Sequence, residues 1–390
     1  AERAQRQPIN REKAKRGARV LAAAVILTGE PGIRIPDSTH SENGIDAEAV
    51  LGDWQPTEVR ALLERGLFND ALYGIVRFRH REVRELLAAE WFLHQLRDGC
   101  SRHAIESLFF REQYGHWVIR PRLRPVLPWL ILFDDEVRRK ALEIAPEIAV
   151  EGGDVALLPL SERQVLLHTI VTRIAKDEGG RSARDNSAIA RIAQADLTDD
   201  TLRLITDHRE NDDAIFFLGR LVWQGEMAGC VPVLSEIACN SDRGIYARIA
   251  ATRAVMTCGD RYQKDQLWKQ LTTSSDSLPR TLLAEVIGDA DPDMISVDFL
   301  LASIDKLEVY ERYEATGLRQ ALHDFLERLP IYGVQDVLEP LAVIVSGMNE
   351  YLNREPYIER GECHVSEPLA WLLGPATHAV ERLVSARSLA

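Results

Sequence analysis

Residues 77–84 read Arg-Phe-Arg-His-Arg-Glu-Val-Arg. Within this run His80 is the side chain that can change its charge near neutral pH, and its ring can donate a hydrogen bond to an anion. Arg77, Arg79 and Arg81 alternate around it, so on an extended strand they share one face. Two readings follow. The stretch presents a basic edge to a nucleotide, a nucleic acid or an acidic domain, or it is a solvated charged face with His80 packed where strand meets helix.

Other residues of chemical interest fall away on spacing. Leu27–Thr39, LTGEPGIRIPDST, imitates a phosphate-binding loop but has neither the Gly-Lys pair nor the following hydroxyl that such a loop needs. His94, Cys100 and His103 match no structural zinc spacing, and Cys363–His364 has no second pair. No serine-elbow, HExxH or Cys/His nucleophile signature occurs. The pairs Asp134–Asp135, Asp199–Asp200 and Asp212–Asp213 precede helical patterns, where carboxylates cap and offset the helix dipole. Seven tryptophans are scattered, as packing anchors are and stacking platforms are not. The chain is therefore expected to be no enzyme, with no metal and no cofactor of its own.

The elements that must position His80 can be read around it. Tyr73, Ile75, Val76 and Phe78 favour a strand, with Gly74 allowing a bend. From His80 onward Val83, Leu86, Leu87, Trp91 and Leu93 recur near helical spacing. Upstream, residues 11–27 read as a helix, 33–53 as loop, and 58–68 as a helix capped by Thr57. Helix, helix, β-wing, helix suits a small winged-helix domain. Prolines cut 100–132 into short pieces. Helices are expected at 134–145 and, capped by Ser161, at 162–176, before a polar, glycine-containing linker at 178–186.

After residue 187 the pattern is helices and short turns, with pairs near 212–239, 243–271, 278–304, 312–346 and 366–387. Tyr246–Asp260 places Arg248, Ala251, Ala254, Val255, Gly259 and Asp260 in the second-helix spacing of a HEAT repeat. Ala251 and Ala254 would admit the next helix closely, with Thr252 outward. The expected fold is all-α: a winged helix with a short β-wing, followed by a HEAT-like α-solenoid. Tyr246, Arg248 and Arg253 are the candidate partner-binding residues. Arg248 could equally bridge neighbouring repeats.

Net charge is −13, yet basic clusters gather before residue 125: in residues 1–20, at Arg77–Arg84, and at Arg111, Arg120, Arg122 and Arg124. The acidic remainder disfavours nucleic acid as the main partner and suits a protein. The longest apolar run, Val20–Leu27, is too short for a membrane span and lacks a cleavage site for a signal peptide. Five unpaired-looking cysteines suggest a reducing cytoplasm. A start at Ala1 reads as a fragment or processed product.

The combination of Phe78, His80 and the helix carrying Glu85, Leu86, Ala88 and Ala89 resembles the end of the winged helix in NACHT-type STAND signalling NTPases. Residues 134–167 resemble the helical arm that follows it. The resemblance implies a winged helix over 1–97, a helical arm over 98–180 and a sensor solenoid over 181–390. It also implies that His80 contacts the β-phosphate of ADP held on an NTPase domain elsewhere in a longer chain. A protein trigger on the solenoid, oligomerisation on activation and a role in bacterial antiviral or stress signalling follow as expectations. Two rivals stand beside it: an α-solenoid scaffold with no NTPase, and a winged-helix nucleic-acid binder.

Overall fold

A computed structural model describes residues 9–36, 44–69, 72–177, 185–308, 316–330, 340–354 and 356–387. It is mostly helical, with a few short strands. The chain divides into two compact units, one within residues 1–170 and 178–192, the other within 171–177 and 193–390. Residues of the expected winged helix and of the expected arm fall in the same first unit. Most of the expected linker, residues 178–184, lies outside the described residues.

The first unit opens with α1 (Arg11–Thr28), capped by the Asn10 side chain and ended by Gly29 in the left-handed conformation. Then come β1 (Ile33–Arg34), β2 (Ile45–Asp46), α2 (Ala47–Val50), α3 (Pro56–Leu63), β3 (Ile75–Val76) and α4 (Arg81–Arg97). The region 33–53 expected to be loop thus holds two short strands and a helical turn. The cap of α3 is Gln55, not Thr57: its backbone N–H donates to Glu58 Oε2 at 3.0 Å in a capping box. The strands form one sheet in the order β2-β1-β3, β1 running parallel to β2 and antiparallel to β3. Phe68 bridges Phe78 and Leu72 bridges Ile75, so β3 is the return limb of a hairpin. Tyr73, expected within the strand, is instead the first turn residue; it and Gly74 have φ of 53° and 76°. Two left-handed residues give the turn twist that a two-residue hairpin requires.

Helix α1 packs along α4 and against α2 and α3. Gly17 permits this, because a Cβ there would lie 2.6 Å from the Trp54 ring and 2.9 Å from Leu62. Next follow α5 (Arg102–Phe109), the hairpin β4 (Phe110–Gln113) with β5 (His116–Ile119), α6 (Leu127–Leu130), α7 (Asp135–Ile144), α8 (Ile148–Glu151), α9 (Leu160–Ala175) and α10 (Asn186–Ile192). The β4–β5 hairpin was missed by periodicity. Its signal was Tyr114–Gly115, both at positive φ.

The second unit comprises α11 (Thr198–Asp207), α12 (Asp212–Gln224), α13 (Val231–Cys239), α14 (Ile245–Cys258), α15 (Arg261–Thr273), α16 (Arg280–Gly288), α17 (Met294–Ile304), α18 (Leu318–Arg328), α19 (Pro340–Leu352), the hairpin β6 (Tyr357–Glu359) with β7 (Glu362–His364), and α20 (Leu373–Arg387). Helices α12, α14, α16, α18 and α20 neighbour one another in turn. So do α11, α13, α15, α17 and α19, giving two rows. Helices α12 and α14, neighbours in one row, approach closely at Gly219 of α12, where a Cβ would lie 3.0 Å from the Ala250 carbonyl carbon and Cβ. Ala251 and Ala254 are fully buried. Thr252, expected outward, is fully buried with its hydroxyl unpartnered, because α14 is covered on several sides at once.

A methyl group at Gly219 must push one helix off the other. Gly219→Ala should therefore destabilise by about 1–3 kcal/mol, as overpacking does. Thr257→Leu, at an exposed position of the same α14, should change the urea midpoint little. Equal midpoints for the two variants would refute this helix contact.

Candidate functional site

His80 occupies the N-cap position of α4 with extended backbone and makes no side-chain cap hydrogen bond. Its side chain is exposed, so the packed-junction reading does not hold. The sheet and hairpin bring the chain out to this point, and α4, anchored against α1, carries it back. An imidazole N–H here stands beside the free N–H groups of a helix start, which favour anions.

The flanking arginines are not equivalent. Arg77 and Arg79 are exposed, and Arg79 reaches the Phe68 carbonyl at 3.4 Å. Arg81 donates through Nε to Glu85 Oε1 at 2.6 Å, and Arg84 lies 3.9 Å from the same oxygen. Glu85 is buried, and the hydrogen bond to it holds Arg81 above its ordinary range. Two of the four arginines are thus committed to holding Glu85. Arg77 and Arg79, with His80, remain outward.

The other basic clusters are largely consumed. In the first, Lys13 pairs with Glu58 at 2.5 Å, Lys15 and Arg19 pair with Glu90 at 3.3 and 2.6 Å, and Arg16 pairs with Asp53 at 3.0 Å. These pairs tie α1 to α3 and α4. In the third, Arg124 grips Glu151 at 2.8 and 2.7 Å and Glu147 at 3.2 Å. Arg122 donates to the Leu27 carbonyl at 3.0 Å. Arg111 and Arg120 line a groove of about 530 Å³.

The imitation phosphate loop fails by polarity as well as by residue type. It follows the C-terminus of α1, and the nearest orphan groups are carbonyls, one of which Arg122 occupies. A phosphate needs N–H groups, supplied by a helix N-terminus.

The three partner-binding candidates part ways. Tyr246 is 70% exposed, its ring edge-on to Phe216 at 6.2 Å, with Arg220 5.1 Å over Phe216. Arg248 is only 9% exposed and donates to the Ala238 carbonyl at the end of α13 at 3.0 Å. Burial lowers its pKa from the ordinary arginine value. Its guanidinium is a structural bridge, the second of the two roles expected of it. Arg253 makes a two-pronged pair with Glu285 of α16 at 2.7 and 2.6 Å and stacks 4.6 Å over Trp223 of α12. The hydrogen bond to Glu285 raises its pKa. It joins three successive helices of one row and is half-buried.

His94, Cys100 and His103 do not converge: His94 pairs with Asp98, and Cys100 donates to Gln95 at 3.4 Å. The Cys363 side chain lies outside the described set. Burial pushes the Cys230 thiol up to about 12 and the Cys258 thiol up to about 11, so neither is poised as a nucleophile. A group that spacing did not reveal, His323, Glu327 and His378, comes together on α18 and α20. Its only linear trace is the His-x-x-x-Glu step at 323–327, one helical turn. No family model matches the chain, and no curated protein or solved structure matches it.

His80→Ala should leave stability within about 0.5 kcal/mol, as for a surface site without partners. Arg248→Met should cost about 1–3 kcal/mol by leaving the Ala238 carbonyl buried without its donor. Urea unfolding of both variants compares them. A larger loss at His80 would mean that it packs internally after all.

Proposed function

We propose that the chain is the non-catalytic regulatory and sensor portion of a NACHT-type STAND NTPase, cytoplasmic and active in bacterial antiviral or stress signalling. The observation carrying this reading is an outward His80, free of side-chain partners, at the start of a long helix that leaves a hairpin, with Arg77 and Arg79 beside it. In this reading His80 donates to a phosphate of ADP bound on the NTPase domain of the same parent chain. The helix N-terminus and two cations reinforce the attraction. The contact exists in the resting state only, so losing it favours the active state.

The two rows of helices in the second unit support a HEAT-like solenoid as the sensor, since stacked repeats make long surfaces for protein partners. With Arg248 and Arg253 turned to internal duty, the trigger contact centres on Tyr246 and its neighbour Phe216, an aromatic pair of the kind that anchors interfaces. A protein-binding scaffold without any NTPase rests on the same aromatic pair. The reading frame upstream of Ala1 separates the two readings, because only the first requires a Walker loop there.

In the product of the longer reading frame, His80→Ala should weaken ADP about tenfold to a hundredfold, the worth of a hydrogen bond to a charged group. Co-purified nucleotide measured after denaturation reads this directly, and unchanged ADP would end the assignment of His80. For the sensor, Tyr246→Ala in the full 390-residue chain should abolish recovery of the trigger from infected or stressed cells while leaving the melting profile unchanged. Recovery at wild-type level would move the trigger site elsewhere.

A further inference from the structure

The geometry points to a divalent transition-metal site formed by His323 and Glu327 of α18 with His378 of α20. One ligand atom from each of the three lies within 4.8 Å of the others. His378 Nε2 stands 2.7 Å from Glu327 Oε1. Yet that nitrogen is shielded from solvent and has no aligned hydrogen-bond partner. The contact is close in distance and wrong in direction, as expected of two lone pairs that look toward a common point and not at each other. The rings of His323 and His378 stack with centroids 4.0 Å apart and planes 21° apart, an arrangement that two imidazolium cations would oppose.

The surroundings orient these groups. Arg382, one turn beyond His378, donates to the carbonyls of Leu326 and Leu329 at the end of α18. Fixed there, its Nε lies 3.5 Å from Glu327 Oε2 and leaves Oε1 for the metal. A carboxylate held by an outer partner is how metal ligands are commonly aimed. Asp324 Oδ1 lies 3.7 Å from His323 Nδ1, too far for a hydrogen bond, and accepts instead from Gln320 Nε2 at 2.8 Å, so neither nitrogen of His323 is taken by it.

Two imidazoles and one carboxylate select zinc and its neighbours over magnesium or calcium, which take oxygen ligands. Metal–nitrogen bonds of about 2.0–2.1 Å put tetrahedral ligand atoms about 3.3 Å apart. The widest pair must close by at most roughly 1.5 Å, and the His378–Glu327 pair must open by roughly 0.6 Å, both within the reach of rotamer adjustment on two packed helices. Three protein ligands leave one position open to water. The ion would tie α18 to α20 across a contact that the chain otherwise makes with Arg382 and packed apolar side chains.

The test uses the full chain with accessible thiols blocked by N-ethylmaleimide, titrated with zinc chloride against a chromophoric chelator. Wild type should take up one equivalent, unaffected by millimolar magnesium chloride. His323→Gln, Glu327→Gln and His378→Gln should each weaken that uptake at least tenfold. Zinc should also raise the urea midpoint of the wild type and of none of the three. If His378→Gln loses helical circular dichroism, exposed His323→Gln carries the comparison. No uptake by the wild type, or equal uptake by wild type and the triple variant, overturns the site.

Discussion

The ends of helices are the weak points of a helical protein, because the last carbonyls of each have no partner within the helix. This chain answers with arginine. Arg122 reaches the end of α1, Arg138 the end of α6, Arg191 the end of α8, Arg248 the end of α13, Arg328 the end of α16 and Arg382 the end of α18. Each guanidinium meets the negative end of a helix dipole, and at the buried ends of α6 and α13 it supplies hydrogen bonds that solvent cannot deliver. Without its arginine, a buried end such as that of α13 would keep an orphan carbonyl at a cost of about 1–3 kcal/mol.

That use of arginine also explains why charge along the chain is a poor guide to exposed basic surface. Three basic clusters before residue 125 suggested a surface for an anionic partner. The first mostly joins α1 to carboxylates of α3 and α4, and Arg124 of the third is held by Glu147 and Glu151. Counting cations along a chain does not distinguish those that face water from those that face a carbonyl or a carboxylate. Among the described residues of these clusters, those that remain outward include Arg11 on α1, Arg77, Arg79 and His80 at one junction, and Arg111 and Arg120 in a groove.

Much of the helical framework was legible. Long amphipathic stretches with caps, such as 11–27, 134–145 and the pairs from 212 to 304, match observed helices closely, because hydrophobic period and cap chemistry agree there. The change from strand to helix at His80 was also legible, and so was its exposure as one of two readings. Short strands were not. Ile33–Arg34 and Ile45–Asp46 are two residues each, too short for any period, and they form only because β1 finds partners distant in the chain. The outward placement of Thr252 failed because a helix packed on several sides has no solvent face for a period to mark. His323, Glu327 and His378 were invisible for a different reason: 51 residues separate Glu327 from His378, and only the packing of α20 on α18 joins them.

The arginine contacts share a direction. In all six, the donor lies later in the chain than the helix end it caps. During synthesis the chain leaves the ribosome from its N-terminus, so the carbonyl that each arginine caps is made before its donor and receives that hydrogen bond only when a later segment arrives. The distances in sequence differ: 7 residues for Arg138 to Ile131, but 95 for Arg122 to Leu27. The Leu27 carbonyl at the end of α1 therefore waits through the translation of its own sheet, of the helix bearing His80 and of the β4–β5 hairpin before Arg122 reaches it. For these six carbonyls the dependence runs one way, each being closed by a segment made after it.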